Sequence, residues 1–181
     1  MIKKILVTQR IDKIKSRNIT IESIDKKLLE FCMKIGAIPI SVSSTVCNKY
    51  GFNIYLNNFS FDGIILSGGN DIGSCIERDN FENQLLKFSI SQKIPVFGIC
   101  RGLQLINIYE KGSLMKIDGH CKTRHNISGE SGILSREVNS YHNFGITKGT
   151  LGKNLQPIAF APDGSIEAIK HLIYPWMAFM W

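Results

Sequence analysis

The sequence predicts an α/β fold with a mainly parallel open sheet and helices on both faces of that sheet. Short apolar runs, each suited to a buried parallel strand, alternate with a stretch of helical period. A Gly-Gly pair and a Gly-flanked cysteine follow two of these runs, as turns do at the carboxyl ends of parallel strands. At 181 residues the chain has the length of one ordinary domain. We therefore expect a single domain over residues 1–181.

The first half of the chain is predicted from hydrophobic runs and their flanking turn residues. Pro39 indicates that its strand lies at an edge or begins irregularly. Gly36 is expected to end the first helix, and residues 50–59 are a weakly patterned connection. The predicted elements are strands at 4–7, 37–42 and 61–66 and helices over 18–35 and 81–91.

The second half changes character after one further strand and helix. Glycines break residues 111–134 into what we expect to be one or two hairpins. Polar residues cluster at 137–142 before a glycine, which is typical of a loop that faces a ligand. A turn at 162–164 separates two short strands, and an apolar strand closes the chain. These last three strands are predicted at 158–160, 166–169 and 177–181.

Cys100 lies in a Gly-Ile-Cys-Arg-Gly segment, 98–102, between the strand 96–99 and an apolar-periodic helix. This is the G-x-C-x-G form of the nucleophile elbow, a turn too tight for side chains beside the nucleophile. The helix N-terminus there favours a thiolate and can hold a developing oxyanion. The alternative is a buried structural cysteine on a strand-to-helix turn, because unpaired cysteines are often buried.

Composition excludes several classes of protein. With 44% hydrophobic and 20% charged residues, the chain is typical of a globular protein. The net charge of +7 comes from scattered basic residues without interleaved aromatics, which argues against nucleic acid and leaves an anionic small molecule open. The apolar run at 5–7 is too short for a signal peptide, so we expect a cytoplasmic protein without membrane contact. Five cysteines without C-x-x-C spacing predict neither disulfides nor zinc.

Polar residues follow two predicted strands and are candidate ligand contacts. Parallel strands place such residues at one edge of a sheet, where ligands bind. A Gly-Gly pair there can turn its N–H groups toward an oxyanion, although such pairs more often only make turns. The candidates from this reasoning are Gln9, Arg10, Gly68, Gly69 and Asn70.

Two histidines flank a cysteine in the segment His120-Cys121-x-x-x-His125. The segment lacks the further ligands and the spacing of a common zinc site. We therefore predict no metal and expect these histidines to contact substrate or backbone.

Several segments together resemble the class I glutamine amidotransferase-like family, in the branch of γ-glutamyl hydrolases of the γ-glutamyl-γ-aminobutyrate hydrolase type. The resemblance covers most of the chain and implies a flavodoxin-like fold. Within the branch, the short chain and its Val-Thr-Gln-Arg start resemble enzymes that hydrolyse γ-glutamyl-CDP-amidate for the phosphoramidate decoration of bacterial capsular polysaccharide. The segments are DGIILSGGNDI (62–72), PVFGICRGLQLIN (95–107), GHCKTRHNI (119–127), VNSYHNFGI (138–146) and APDGSIEAI (161–169).

The resemblance implies a role for individual residues. Cys100 would be the nucleophile that forms a γ-glutamyl thioester, and the backbone N–H of Arg101 together with that of Gly69 or its neighbour would form the oxyanion hole. A small γ-glutamyl molecule would be the substrate, and neither a metal nor an organic cofactor would be needed. The residues implied to bind or border this substrate are Gln104, Asn139, Ser140, Tyr141, His142 and Glu167.

The chain departs from the family pattern at the catalytic base. The family's last strand ends in a His-Pro-Glu run that supplies the base and its orienting carboxylate. The sequence stops at Trp181, where that histidine would follow, and His120, His125, His142 and His171 do not match it. We therefore expect a shortened chain that lacks the His-Pro-Glu segment, because a nucleophilic cysteine normally needs an oriented base.

Three other functions stay open on the sequence. The chain can be a glutaminase subunit that passes ammonia to a synthetase. It can be a non-catalytic protein that keeps a glutamyl pocket, which predicts stabilisation by ligand without turnover. A cysteine-based oxidoreductase is disfavoured, because no resolving cysteine lies near Cys100 in sequence.

Overall fold

A computed structural model describes residues 2–58, 60–129 and 134–181 of the chain. The residues group into two compact units, Met1–Phe97 and Gly98–Trp181. The prediction of one domain over 1–181 stays a prediction.

The first unit is built on parallel strands. Strand β1 lies between β4 and β5 and is parallel to both, with Leu6 opposite Ile40 on one side and Ile64 on the other. Strand β6 begins in this unit beside β5, and β2 and β3 form a separate antiparallel hairpin. The strands are β1 (Lys3–Thr8), β2 (Arg10–Ile14), β3 (Ile19–Ser23), β4 (Ala37–Val42), β5 (Gly63–Leu66) and β6 (Val96–Ile99).

Polar caps begin two helices of this unit. The Asp25 side chain accepts from the backbone N–H of Lys27, and the Ser43 side chain accepts from that of Val46, which satisfies helix N–H groups that have no acceptor within the helix. The helices are α1 (Lys26–Lys34), α2 (Ser44–Tyr50), α3 (Phe52–Leu56) and α4 (Ile76–Gln92). The buried core between helices and strands includes Leu6, Val7, Leu56, Ile64, Leu66, Phe81, Leu85 and Leu86.

The structure corrects two predictions in this unit. The helix predicted over 18–35 is instead strand β3 followed by α1, because the β-branched run at 19–21 favours a strand. Residues 50–59, predicted as a connection, contain the end of α2 and all of α3. The strand at 37–42, its edge position and the chain turn at Gly36, with φ of 76°, are confirmed.

The second unit contains helix α5 (Arg101–Tyr109) and an antiparallel arrangement of strands. Within it the strand order is β13-β12-β11-β8-β9, and β7 pairs separately with β10. The predicted pair of strands around the turn at 162–164 is confirmed as β11 and β12. The strands are β7 (Met115–Lys116), β8 (Cys121–Gly129), β9 (Arg136–Tyr141), β10 (Phe144–Gly145), β11 (Leu155–Phe160), β12 (Ile166–His171) and β13 (Trp176–Phe179).

Residues 137–142 are corrected from a loop to strand β9 and the residue after it. The segment alternates, with Val138, Ser140 and His142 buried and the residues between them exposed. That period of two is the signature of a half-buried strand. The one or two hairpins expected within 111–134 are not found among its described residues: β7 pairs with β10 and β8 pairs with β9, so both partner strands lie beyond residue 134. Residues 130–133 of this prediction lie outside the described residues.

Among the described residues, no helix is both long enough and apolar enough to span a bilayer. The predicted α/β class is confirmed: parallel strands and helices form the first unit, and a helix with further strands forms the second.

Candidate active site

Cys100 occupies a strained turn between β6 and α5. Its φ of 50° and ψ of −99° lie outside the regions that L-residues populate freely. The backbone holds this conformation from both sides, because the Cys100 N–H donates to the Phe179 carbonyl at 2.7 Å and the Cys100 carbonyl accepts from Leu103 and Gln104. Strain of this kind persists where the surrounding structure determines it, and it is common at active sites. The geometry is that of the predicted nucleophile elbow.

Gly98 shows why the turn needs a glycine before the cysteine. A Cβ placed on Gly98 would lie 2.8 Å from the Cβ of Ala178 and 2.8 Å from the backbone carbon of Gly102. Neither contact can relax easily, since one neighbour is a methyl group in the core and the other is backbone. The strand and the helix can therefore approach this closely only without a side chain at 98.

Helix α5 begins immediately after the thiol. Arg101 is its first residue, and the first N–H groups of a helix have no acceptor within that helix. Such groups at a helix N-terminus stabilise negative charge. Cys100 is half-buried. The elbow thus places a thiol beside N–H groups of the kind that suit an oxyanion, and the nucleophile role of Cys100 and the oxyanion role of Arg101 stay predictions.

The loop after β5 adopts left-handed backbone at two positions, with φ of 82° at Gly69 and 48° at Asn70. Arg78 of α4 holds this loop in place by hydrogen bonds, and its side chain is fully buried. Its Nη1 donates to the carbonyls of Gly68 at 3.1 Å and Gly69 at 3.0 Å, and its Nη2 donates to the carbonyl of Ser67 at 2.8 Å. One guanidinium therefore fixes three successive carbonyls.

This arrangement sets the direction of the loop's N–H groups. In a planar trans peptide the N–H points opposite to the C=O. Because the carbonyls of Gly68 and Gly69 point at Arg78, the N–H groups of Gly69 and Asn70 point away from it. The oxyanion role of Gly69 stays a prediction.

Other predicted contacts in the first unit make bonds within that unit. Asn70 accepts from the Ile11 N–H and donates to the Ile11 carbonyl, each at 2.8 Å, which ties the loop to β2. Gln9 donates to the Val42 carbonyl at 3.3 Å. Arg10 forms a partly exposed ion pair with Asp12. The substrate-binding roles of Gln9, Arg10, Gly68 and Asn70 stay predictions.

Predicted contacts in the second unit divide between its surface and its interior. Gln104 is buried on α5 and donates to the Phe144 carbonyl at 2.9 Å. Asn139 and Tyr141 are exposed, whereas the Ser140 hydroxyl donates to the His120 carbonyl. Because they lie on opposite faces of β9, the residues 139–142 cannot all face one pocket.

Glu167, predicted to border the substrate, is only 1% exposed and lies at the centre of three imidazole rings. Its Oε1 is 3.5 Å from His120 Nδ1 and 3.6 Å from His142 Nε2, and its Oε2 is 3.5 Å from His125 Nε2. We call His120, His125, His142 and Glu167 the histidine cluster. No sequence motif indicated this grouping.

The remaining histidine has a structural position. His171 Nδ1 accepts from the backbone N–H groups of Ile173 and Tyr174, and its Nε2 lies 3.2 Å from Glu110 Oε1. These contacts hold the turn that follows β12.

Two other thiols are core residues. Cys32 and Cys47 are buried. Burial, together with the nearby carboxylate of Glu22, raises the pKa of Cys47 to about 12, and burial also raises the pKa of Cys32. Neither is suited to nucleophilic chemistry, because the thiolate is the reactive form.

The sequence pattern of the Peptidase C26 family matches residues 5–180. The chain belongs to the Peptidase C26 family. The resemblance to glutamine amidotransferase-like hydrolases is confirmed by this match, and the family is one of hydrolase-type enzymes.

Relatives of this Peptidase C26 chain include a γ-glutamyl-CDP-amidate hydrolase of Campylobacter jejuni, 35% identical over 124 residues, which are 65% of this chain and 60% of that protein. Protein NtpR of Enterococcus hirae is 30% identical over 147 residues, 61% of each chain. The chain thus spans about three fifths of the length of these relatives.

A solved structure from Thermoplasma acidophilum, described as a GMP synthase protein, superposes with a TM-score of 0.75. It is 18% identical, and the superposition covers 99% of this chain and 83% of the other. This likeness confirms the fold of the Peptidase C26 chain.

Sequence reasoning missed Arg78 and the histidine cluster in this Peptidase C26 chain. Arg78 and Glu82 form a fully buried pair at i,i+4, a spacing that on most helices marks a solvent-exposed pair. In the cluster, His120 and His125 lie five positions apart, which in a regular strand means opposite faces. An irregularity between Cys121 and Thr123, with Lys122 at a φ of 57°, inserts one residue and returns both rings to one face.

Proposed function

We propose that this chain carries the cysteine-dependent hydrolysis of a γ-glutamyl amide through a thioester on Cys100. The observation that carries the proposal is the strained backbone of Cys100, with a φ of 50° and a ψ of −99°, at the strand-to-helix turn. That conformation is costly for an L-residue, and a merely buried cysteine has no need of it. Membership of a hydrolase family supports the same chemistry.

The proposed reaction has two steps. The Cys100 thiolate attacks the γ-carbonyl carbon, the negative charge on oxygen is stabilised by N–H groups at the start of α5, and the C–N bond breaks as the leaving nitrogen takes a proton. Water then adds to the thioester, the C–S bond breaks, and glutamate and the thiol are released. Atoms and charge balance without a redox partner.

We propose γ-glutamyl-CDP-amidate as the substrate. The Campylobacter relative is named as a hydrolase of this compound. The net charge of +7 would attract the diphosphate portion of such a molecule. The resemblance noted from the sequence would place the reaction in the phosphoramidate decoration of capsular polysaccharide, with a cytoplasmic location.

The first step also needs a proton acceptor, which is a different residue from the nucleophile. In the family pattern it is the histidine of the His-Pro-Glu run, which none of the histidines at 120, 125, 142 and 171 matches. These four lie beside Glu167 or Glu110. Formation of the thioester and its hydrolysis should therefore be measured separately.

The proposal is tested by release of glutamate from γ-glutamyl-CDP-amidate, γ-glutamyl-γ-aminobutyrate and glutamine. We expect the CDP-amidate to be preferred and Cys100→Ala to abolish release. The matched control is Cys121→Ala, which removes an exposed thiol and should leave release unchanged. Release of glutamate that persists in Cys100→Ala would refute the assignment of Cys100 as the nucleophile. A preference for glutamine would refute the assignment of γ-glutamyl-CDP-amidate as the substrate.

A further inference from the structure

His142 faces Glu167 with a nitrogen lone pair. Its Nδ1 lies 3.1 Å from the Phe144 carbonyl oxygen. A carbonyl can only accept, so Nδ1 carries the proton, and in the neutral ring Nε2 is then an acceptor. This Nε2 is 3.6 Å from Glu167 Oε1, which is also an acceptor. Two acceptors buried face to face repel each other unless a cation lies between them.

His120 also faces Glu167 with a ring nitrogen that has a lone pair. Its Nε2 lies 3.0 Å from Asp163 Oδ2. The Asp163 carboxylate accepts the proton of Nε2, and in the neutral ring the lone pair of Nδ1 then points toward Glu167 Oε1 at 3.5 Å.

The facing atoms of the histidine cluster are buried and have no hydrogen-bond partner among the described residues. This holds for His120 Nδ1, His125 Nε2, His142 Nε2 and both carboxylate oxygens of Glu167. Glu167 is 1% exposed, His142 4% and His120 5%. A buried carboxylate without partners is costly, so the site requires positive charge.

The distances distinguish a metal ion from a proton. A proton shared between nitrogen and oxygen brings the two atoms to about 2.7–3.2 Å. The three separations from Glu167 are 3.5, 3.5 and 3.6 Å. Ligands at about 2.0–2.1 Å from a tetrahedral zinc lie about 3.3 Å apart, which is the closer match. One ligand atom each from His120, His125 and Glu167 also lie within 4.8 Å of one another.

We propose that the histidine cluster is a Zn²⁺ site with His120, His125 and Glu167 as ligands, and with His142 Nε2 packed against Glu167 Oε1. Imidazole nitrogens with one carboxylate suit zinc better than calcium or magnesium, which prefer oxygen. Asp163 has the position of an outer partner that fixes the ring tautomer of His120 in such a site. This replaces the expectation from sequence that the chain binds no metal.

The proposed ion connects two strands of the second unit. Three protein ligands leave the fourth position of a tetrahedral zinc to water. The ligands come from β8, from β12 and from the residue before β8. An ion here joins the β8–β9 hairpin to β12, two segments that otherwise meet through β11. The proposal is independent of the Cys100 chemistry.

The test begins with the unaltered protein, freed of metal by chelation and titrated with ZnCl₂. We expect one zinc per chain by elemental analysis and a thermal midpoint that rises with zinc and falls again with EDTA. Titration with CoCl₂ should give the intense visible absorption of tetrahedral Co²⁺ without a thiolate charge-transfer band, because no ligand is a cysteine. Neither readout depends on hydrolytic activity.

Three variants locate the ion. Glu167→Gln should weaken zinc binding at least about tenfold, and Asp163→Asn should weaken it about tenfold through the lost outer partner of His120. Glu137→Gln is the matched control, because it removes an exposed carboxylate from the neighbouring strand β9. It should bind zinc as the unaltered chain does.

Two outcomes would overturn the proposal. In one, the unaltered chain shows neither stoichiometric zinc nor a tetrahedral Co²⁺ spectrum, and NMR titration finds protonated imidazoles beside Glu167. In the other, zinc binds equally to the unaltered chain and to Glu167→Gln. Because the first readouts use the unaltered chain, a folding defect in a variant does not affect them.

Discussion

Arg78 Nη1 donates a hydrogen bond of 3.0 Å to the Gly69 carbonyl, and the Arg78 side chain is fully buried. The same guanidinium pairs through Nε with Glu82 Oε1 at 2.9 Å. A helix side chain thereby determines the backbone direction of the Gly-Gly loop. The loop's conformation depends on packing beneath it as well as on its glycines.

Arg78→Lys should lower the free energy of unfolding by about 3 kcal/mol. Lysine keeps the charge but cannot donate from a planar fork to three carbonyls and a carboxylate, so buried acceptors lose their partners. Urea denaturation measures the change, and amide hydrogen exchange at Gly69 should become faster. Arg124→Lys is the control, because Arg124 forms an exposed pair with Glu137 and should change stability by less than about 0.5 kcal/mol. Equal effects of the two variants would contradict the role of Arg78.

Gly98→Ala should destabilise the chain by about 2 kcal/mol. The new methyl group would lie 2.8 Å from Ala178 and from the Gly102 backbone, so the elbow must shift. Gly149→Ala is the matched control, since a Cβ there meets nothing within 4 Å. Its stability in urea should change by less than about 0.5 kcal/mol. A Gly98→Ala protein as stable as this control would show that the elbow is not tightly packed.

Glu22 should stabilise the chain at neutral pH but not in acid. Burial works to raise its pKa, but hydrogen bonds from Ser43, Ser44 and Thr45 outweigh burial and hold the pKa below its ordinary value of 4.5. A lowered pKa means that the stabilisation is present above that value and is lost as the pH falls through the folded-state pKa.

Glu22→Gln should therefore cost about 1 kcal/mol at neutral pH. The difference from the unaltered chain should shrink as the pH falls below 4.5. Unfolding in urea across this range measures the difference. Glu30→Gln, which removes an exposed carboxylate from α1, is the control. A difference in unfolding free energy that does not change with pH would contradict the lowered pKa of Glu22.

Alkylation should separate the cysteines by burial. At about pH 8, Cys47 with a pKa of about 12 is thiolate in roughly one molecule in ten thousand. We expect iodoacetamide to modify exposed Cys121 rapidly and to leave Cys32 and Cys47 unmodified until urea unfolds the chain. Peptide mapping by mass spectrometry gives the order. Modification of Cys47 at the rate of Cys121 would contradict its burial.

The strands at 4–7 and 37–42 and the elbow at 98–102 could be predicted because local signals determine them. An apolar run between turn residues forms a strand almost wherever it is placed, and a glycine-flanked cysteine after such a run is a specific motif. The prediction of a helix over 18–35 was wrong because the apolar spacing there fits both one long helix and a strand followed by a shorter helix. The β-branched residues at 19–21 and the Asp25 cap decided between them.

The histidine cluster could not be predicted because it depends on long-range register. His125 and Glu167 lie 3.5 Å apart only because β11 pairs with both β8 and β12. The irregularity at Lys122 then brings His120 to the same face as His125. Neither relationship leaves a trace in a single sequence. Arg78 was missed for a related reason, since sequence spacing does not show which charged pairs are buried.

The most direct test of the account is the mass of the intact protein after rapid mixing with γ-glutamyl-CDP-amidate and acid quench. We predict a γ-glutamyl adduct that peptide mapping assigns to Cys100, with Cys100→Ala unmodified and Cys121→Ala modified like the unaltered chain. An adduct detects the nucleophile even where hydrolysis of the thioester is slow. No adduct on Cys100, with the thiol still reactive to iodoacetamide and the substrate intact, would contradict the assignment of Cys100 as the nucleophile.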